Sequence, residues 1–220
     1  MATDKITGKK IGVLVSGGGT NLQSLIDNIH EGKCNAEIAC VISNIPDVYA
    51  LQRASQANIP GEVIRHQAYP DRRQFELELL NTLHQYHVDI VCLAGFMRVL
   101  ESTFIDAFAG QILNIHPSLL PKFTGLHTHQ RAIDAHEKTH GCSVHFATRE
   151  LDGGPVILQS KVPVLEHDTA DSLARRVLEK EHVIYPLCVQ WLCENKIHYS
   201  NGLAYYENKP LQTPLLLEEL

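Results

Sequence analysis

The 220-residue chain is short of several things, and each shortage closes off a class of protein. No apolar run approaches the ~20 residues that a membrane-spanning helix needs. Residues 1–10 are polar and lack the apolar stretch of a secretory leader. Positive charge is scarce: 19 Lys and Arg stand against 25 Asp and Glu, for a net charge of -6. Broad nucleic-acid binding needs a basic face and is not expected. A small anion remains open, because a nest of backbone N–H groups holds phosphate on an acidic protein too. None of the cysteines (Cys34, Cys40, Cys92, Cys142, Cys188 and Cys193) forms a C-x-x-C pair. They read as reduced, small hydrophobes of a cytoplasmic protein. No internal repeat and no low-complexity linker is present.

What is there fits one domain over residues 1–220, of α/β class. Ile11-Gly12-Val13-Leu14-Val15 reads as a central strand. Ser16-Gly17-Gly18-Gly19-Thr20-Asn21 follows, and then Leu22, Leu25, Ile26 and Ile29 recur at helical spacing. Strand, glycine turn and helix together aim backbone N–H groups at an anion. The pattern is not a dinucleotide fingerprint, because Leu22 stands at the third glycine position. The next strand, residues 36–42, ends in Ser43-Asn44-Ile45-Pro46, with no acid for a ribose diol. The P-loop pattern is absent as well. A single phosphate monoester is the favoured ligand.

Further on, residues 47–58 read as a helix and residues 62–65 as a short strand. Pro70 opens a helix at a first-turn position, with Phe75, Leu79, Leu80, Leu83 and Tyr86 as its apolar stripe. Arg72 and Arg73 lie in its first turn, where the macrodipole disfavours cations; this hints at an anionic partner. Residues 89–94 form a buried strand. The loop Gly95-Phe96-Met97-Arg98-Val99-Leu100 is apolar where connections are usually polar, which suits the wall of a pocket for a flat ring. A helix over residues 101–109 leads to the next strand.

That strand ends in Asn114-Ile115-His116-Pro117. Alternation puts Asn114 and His116 on one side, and Pro117 stops the strand. An amide and an imidazole at the carboxyl end of a strand suit chemistry on a carbonyl, with two donors for an oxyanion. Residues 117–127 are irregular, residues 128–138 read as a helix, and residues 141–148 as a strand. Leu151-Asp152-Gly153-Gly154-Pro155 is a tight turn before a strand at residues 156–164. Asp168, with Asp171 three residues on, caps a final helix that Pro186 kinks. The tail from Ser200 looks peripheral.

His116, His127, His129, His136, His140 and His145 crowd one region. His136-Glu137-Lys138-Thr139-His140 formally matches the zincin motif. Its polar, short setting reads instead as a solvated helix end, with His140 in the last turn, so no metal is expected.

With these residues in view, the chain resembles the phosphoribosylglycinamide formyltransferases of purine synthesis. Ser16 to Gln23 is similar to their phosphate loop, Leu93 to Arg98 to part of their folate pocket, and Asn114 to Pro121 with Leu151 to Val156 to their active-site signature. The resemblance implies a Rossmann-like, mostly parallel twisted sheet of about seven strands flanked by helices. It implies formyl transfer from 10-formyltetrahydrofolate to the amine of glycinamide ribonucleotide, without a metal. Asn114, His116 and Asp152 are the implied catalytic trio. Folate contacts are implied at Arg72, Met97, Arg98, Val99, Leu100 and Asn114. Substrate contacts are implied at Gly19, Thr20, Asn21 and Glu181. The N-terminal half would bind nucleotide, and the C-terminal half folate and the reacting groups. Monomer and homodimer both stay open. The rivals are a 10-formyltetrahydrofolate hydrolase, a methionyl-tRNA formyltransferase and a non-catalytic nucleotide-binding module. Against the hydrolase stands the glycine loop, which a hydrolase does not need.

Overall fold

The computed structural model describes residues 8–220. Eight strands form the main sheet. In chain order they are β1 (Lys9–Val15), β2 (Ala36–Ser43), β3 (Gly61–Val63), β4 (Ile90–Leu93), β5 (Ile112–His116), β6 (Thr139–Phe146), β7 (Val156–Pro163) and, after three intervening strands, β11 (Leu215–Leu216). The intervening strands, β8 (Ile197–Ser200), β9 (Leu203–Tyr206) and β10 (Lys209–Pro210), make a small sheet of their own. The main order is β11-β7-β6-β5-β4-β1-β2-β3. Only β6 runs against its neighbours; the other pairings are parallel. The eighth strand is the difference from the expected seven. It comes from the tail, which is therefore built into the sheet rather than peripheral.

The helices are α1 (Thr20–His30), α2 (Tyr49–Gln56), α3 (Arg72–Gln85), α4 (Ser102–Ala107), α5 (Thr128–Asp134) and α6 (Ala170–Cys193). Alternation along the strands divides the core between two faces. Ile11, Val13 and Val15 pack on one face with residues of α1, α2 and α6. Leu14, Val91, Leu93 and Ile112 pack on the other with α3 and α4. Asn114 and His116 share the parity of Ile112. Chain order reverses between β1 and β4, which is where ligands sit in open α/β sheets.

Several local expectations shift. α3 begins at Arg72, capped by the Asp71 carboxylate, which accepts from the Gln74 N–H at 2.8 Å. Pro70 lies outside the helix, because an aspartate side chain satisfies an orphan N–H and a proline does not. The cap of α6 is Thr169, boxed with Ser172, rather than Asp168 with Asp171. Asp168 lies one residue outside and accepts from Ser172 and Arg176. α6 continues through Pro186 to Cys193. α5 ends at Asp134, so residues 135–138 are not helical, and the next strand starts at Thr139 instead of Gly141. His140 is thus a buried strand residue, 1% exposed, and not a solvated helix end. His136 has a left-handed φ of 52°, so His136 and His140 do not share a helix face as the zincin motif requires. No helix among the described residues is long and apolar enough to cross a membrane.

Candidate active site

β5 carries Asn114 and His116 to its carboxyl end, and β6 runs antiparallel beside it with Asn114 opposite His145. The Asn114 amide donates to His145 Nε2 at 3.0 Å. His145 Nδ1 lies 2.9 Å from the Phe146 carbonyl, which only accepts, so Nδ1 carries the proton and Nε2 the lone pair. Burial, the largest influence, pushes the His145 imidazole down and keeps it neutral. The second Asn114 amide hydrogen has no protein partner among the described residues and is available to a ligand.

His116 is 5% exposed. Its Nε2 donates to the Phe123 carbonyl at 2.9 Å, and its Nδ1 lies 3.5 Å from Asp152 Oδ2. Both ring nitrogens face oxygens, the Phe123 carbonyl at hydrogen-bond distance and the Asp152 carboxylate slightly beyond it. The irregular residues 117–127 reach this position through a buried network. Ser143 Oγ donates to the Ser118 carbonyl and accepts from the Leu120 N–H, while Gln159 donates to both the Leu120 carbonyl and Ser143. The Leu120-Pro121 bond is cis.

Asp152 sits in the turn between β6 and β7 with a φ of 52°. Its Oδ2 accepts from the Gly125 N–H at 2.8 Å, and its Oδ1 lies 3.8 Å from His145 Nε2. Gly154 allows this turn: a Cβ there would stand 1.8 Å from the Phe146 carbonyl oxygen. Asn114, His116 and Asp152 therefore meet at one point, as their spacing in the chain does not reveal.

The glycine turn follows β1, which is parallel to β5 and separated from it by β4, so both lie at the carboxyl edge of the sheet. Gly19 is the N-cap of α1 at φ 69°, and a Cβ there would lie 2.6 Å from the Ala50 Cβ. Among the described residues no side chain caps α1, and no acid occupies its first turn, so its leading N–H groups are open to an anion. Thr20 is part-exposed beside them. Asn21 donates to Glu181 Oε2 at 2.7 Å, while Asn21 Oδ1 is buried without a partner among the described residues. Burial pushes the Glu181 carboxyl up, and the Asn21 bond only partly offsets that. A buried carboxylate beside an orphan amide oxygen fits a ligand amine, which supplies donors to both.

The loop after β4 turns apolar side chains outward. Met97 and Val99 are exposed at 63% and 46%, Arg98 is part-buried, and Leu100 is buried. Ser16 Oγ ties this loop to β1 and β2, accepting from the Met97 N–H and donating to Asn44. Arg72 is exposed at the start of α3, and its charge and that of Arg98 are both felt at Glu76.

A family model described as "Formyl transferase" matches residues 9–189. The chain belongs to the formyl transferase family. Within it, the chain is 46% identical over 92% of its length to the phosphoribosylglycinamide formyltransferase of Haemophilus influenzae, of which it covers 96%. The enzyme of the same name from Escherichia coli is 44% identical, with 90% of this chain and 94% of that one covered. A solved phosphoribosylglycinamide formyltransferase from Coxiella burnetii superposes with a TM-score of 0.90 at 44% identity, over 94% of this chain and 99% of that one. A formyltetrahydrofolate deformylase from Pseudomonas syringae shares the fold at a TM-score of 0.85 but only 25% identity, and this chain covers 67% of it.

As a formyl transferase, the chain holds two polar groups that its sequence did not single out. His145 looked like one more histidine in a crowd; its antiparallel register with Asn114 gives it a partner. Ser16 looked like the lead-in to a glycine turn, yet it joins three strand ends.

Proposed function

We propose that this formyl transferase moves the formyl group of 10-formyltetrahydrofolate to the amine of glycinamide ribonucleotide in purine biosynthesis. The observation that carries the reading is that one sheet bears both an acid-free helix N-terminus without a described side-chain cap, after β1, and the Asn114–His116–Asp152 cluster, at the end of β5, with only β4 between those strands. A hydrolase would need the cluster but not the cradle. A nucleotide-binding module would need the cradle but not the cluster.

In this reading the ribonucleotide phosphate rests on the N–H groups of Gly19, Thr20 and Asn21, and Glu181 with Asn21 receives the amine. The folate lies along Met97, Arg98, Val99 and Leu100, with Arg72 toward its acidic end and Asn114 beside the formyl group. Amine attack turns the formyl oxygen into an oxyanion. The free Asn114 N–H donates to it, and loss of one such donor costs about 3–4 kcal/mol. His116 supplies a second, charged donor. Its 3.5 Å approach to Asp152 is the looser of its two contacts and the one that yields to substrate. The attacking nitrogen must lose a proton while the leaving nitrogen gains one, and Asp152 passes it through a water. Alignment of the two bound substrates supplies about 7–11 kcal/mol. No metal and no covalent enzyme intermediate enters these steps. Residues 1–220 act as one formyltransferase domain, in the cytoplasm, where the buried thiols stay reduced.

The test is turnover with purified protein. Formylated ribonucleotide should form when both substrates are present. Consumption of the folate at the same rate without the ribonucleotide would overturn the reading.

A further inference from the structure

We propose that Arg53 is a positioning residue for the ribonucleotide phosphate, holding the Gly18–Gly19 peptide so that its N–H faces the anion. This rests on the phosphate cradle proposed above. α2 packs against the back of the glycine turn. The Ala50 N–H donates to the Gly17 carbonyl at 3.1 Å, and Arg53 Nε donates to the Gly18 carbonyl at 2.9 Å. In a trans peptide the C=O and the N–H point in opposite directions. With both carbonyls drawn toward α2, the N–H groups of Gly18 and Gly19 point away from it, to the side where α1 begins uncapped.

Arg53 is itself fixed. Its Nη1 donates to Gln23 Oε1 at 2.9 Å, Gln23 Nε2 donates to Asp27 at 2.8 Å, and the guanidinium lies 4.7 Å from the centre of the Tyr49 ring. Nε and Nη1 thus bridge the turn to α1 in one plane, a geometry that lysine cannot reproduce. Nη2 has no hydrogen-bond partner among the described residues. His182 of α6 is pushed down first by burial and then by the charge of Arg53. A dianion bound at the glycine turn meets the same charge, on a chain whose net charge is -6. Arg53 therefore orients the cradle and contributes a fixed positive charge behind it.

The experiment compares Arg53→Lys and Arg53→Gln with the unaltered protein. It measures the KM for glycinamide ribonucleotide, the KM for 10-formyltetrahydrofolate, the inhibition constant of inorganic phosphate against the ribonucleotide, and the thermal midpoint. Loss of one charge-assisted hydrogen bond predicts a ribonucleotide KM about tenfold higher in Arg53→Lys. The phosphate constant should rise in parallel, while the folate KM and the midpoint stay near the unaltered values. Arg53→Gln, which also removes the charge, should show the larger rise. The proposal fails if both variants keep the original ribonucleotide KM and phosphate constant. It fails equally if both KM values and the midpoint move together, the signature of a purely structural role. Failure of the unaltered protein to transfer formyl, or to be inhibited by phosphate, defeats the functional reading instead.

Discussion

The role proposed for Asn114 rests on an amide proton that no described residue takes up. One amide hydrogen goes to His145 and the other is free, and the fixed tautomer of His145 decides which way the amide faces. Asn114→Ala should lower kcat about 100- to 1000-fold, the usual loss for an oxyanion donor, with the thermal midpoint little changed. His145→Leu should cost about tenfold in kcat by freeing the amide to rotate, and His145→Gln, which restores an acceptor, should recover part of it. Steady-state kinetics with both substrates reads each effect. Asn114 and His116 were legible because strand alternation and Pro117 are local signals. His145 was not, since its meaning depends on a partner 31 positions away in a strand of opposite direction. Glu181 illustrates a different conflict. Its carboxyl is pushed up by burial, so the folded protein holds that proton more tightly than the unfolded chain does. A raised carboxyl favours folding at low pH, and that advantage is lost as pH rises through the raised value. Glu181→Gln should therefore melt a few degrees higher than the unaltered protein at neutral pH, with the gap closing as pH falls. Turnover should drop, because the amine loses its anionic partner.

Among the elements, short helices and strand starts were the hardest to place. The stretch around residues 135–140 has apolar and polar residues at spacings that suit either a helix or a loop, and the pairing of β6 with β7 settles it. The outcome matters for pH. His140, moved from an exposed helix end into the core, is pushed down to about 4, first by burial and then by His129. Burial likewise pushes down His129 and His145. Each is neutral when folded and binds a proton more readily when unfolded. Their contribution to stability is complete above the ordinary imidazole value and is lost as pH falls from there toward about 4. Denaturant unfolding across that range should show stability falling with acid, and His140→Leu should flatten the slope. A slope unchanged by the substitution would place the proton uptake elsewhere. The β1 turn was legible for the opposite reason: three consecutive glycines have few structural uses, and Gly19 needs both its left-handed φ and its bare Cα against Ala50.

For the molecule as a whole, the sequence pointed to a parallel α/β sheet, but its far edge was hidden. Leu215 and Leu216 form a two-residue strand that no periodicity marks; β7 recruits them, and Glu218 anchors the turn by accepting from Ser160 and Lys161. A chain ending at residue 213 should expose the β7 edge, melt at a lower temperature and associate more readily, as light scattering during heating would show. The elements that build the site come from both ends of the chain, Asn21 bonding to Glu181 across 160 positions. The proposed reaction has Asn114 and His116 donate to one oxygen while Asp152, 3.5 Å from His116, moves the proton. This reading is tested most sharply by kcat for His116→Ala, Asp152→Asn and the double variant, each checked for intact folding. If the two residues work as a unit, the double variant should be no slower than the slower single one. Losses that multiply in the double variant would show two independent contributions, contradicting the shared site.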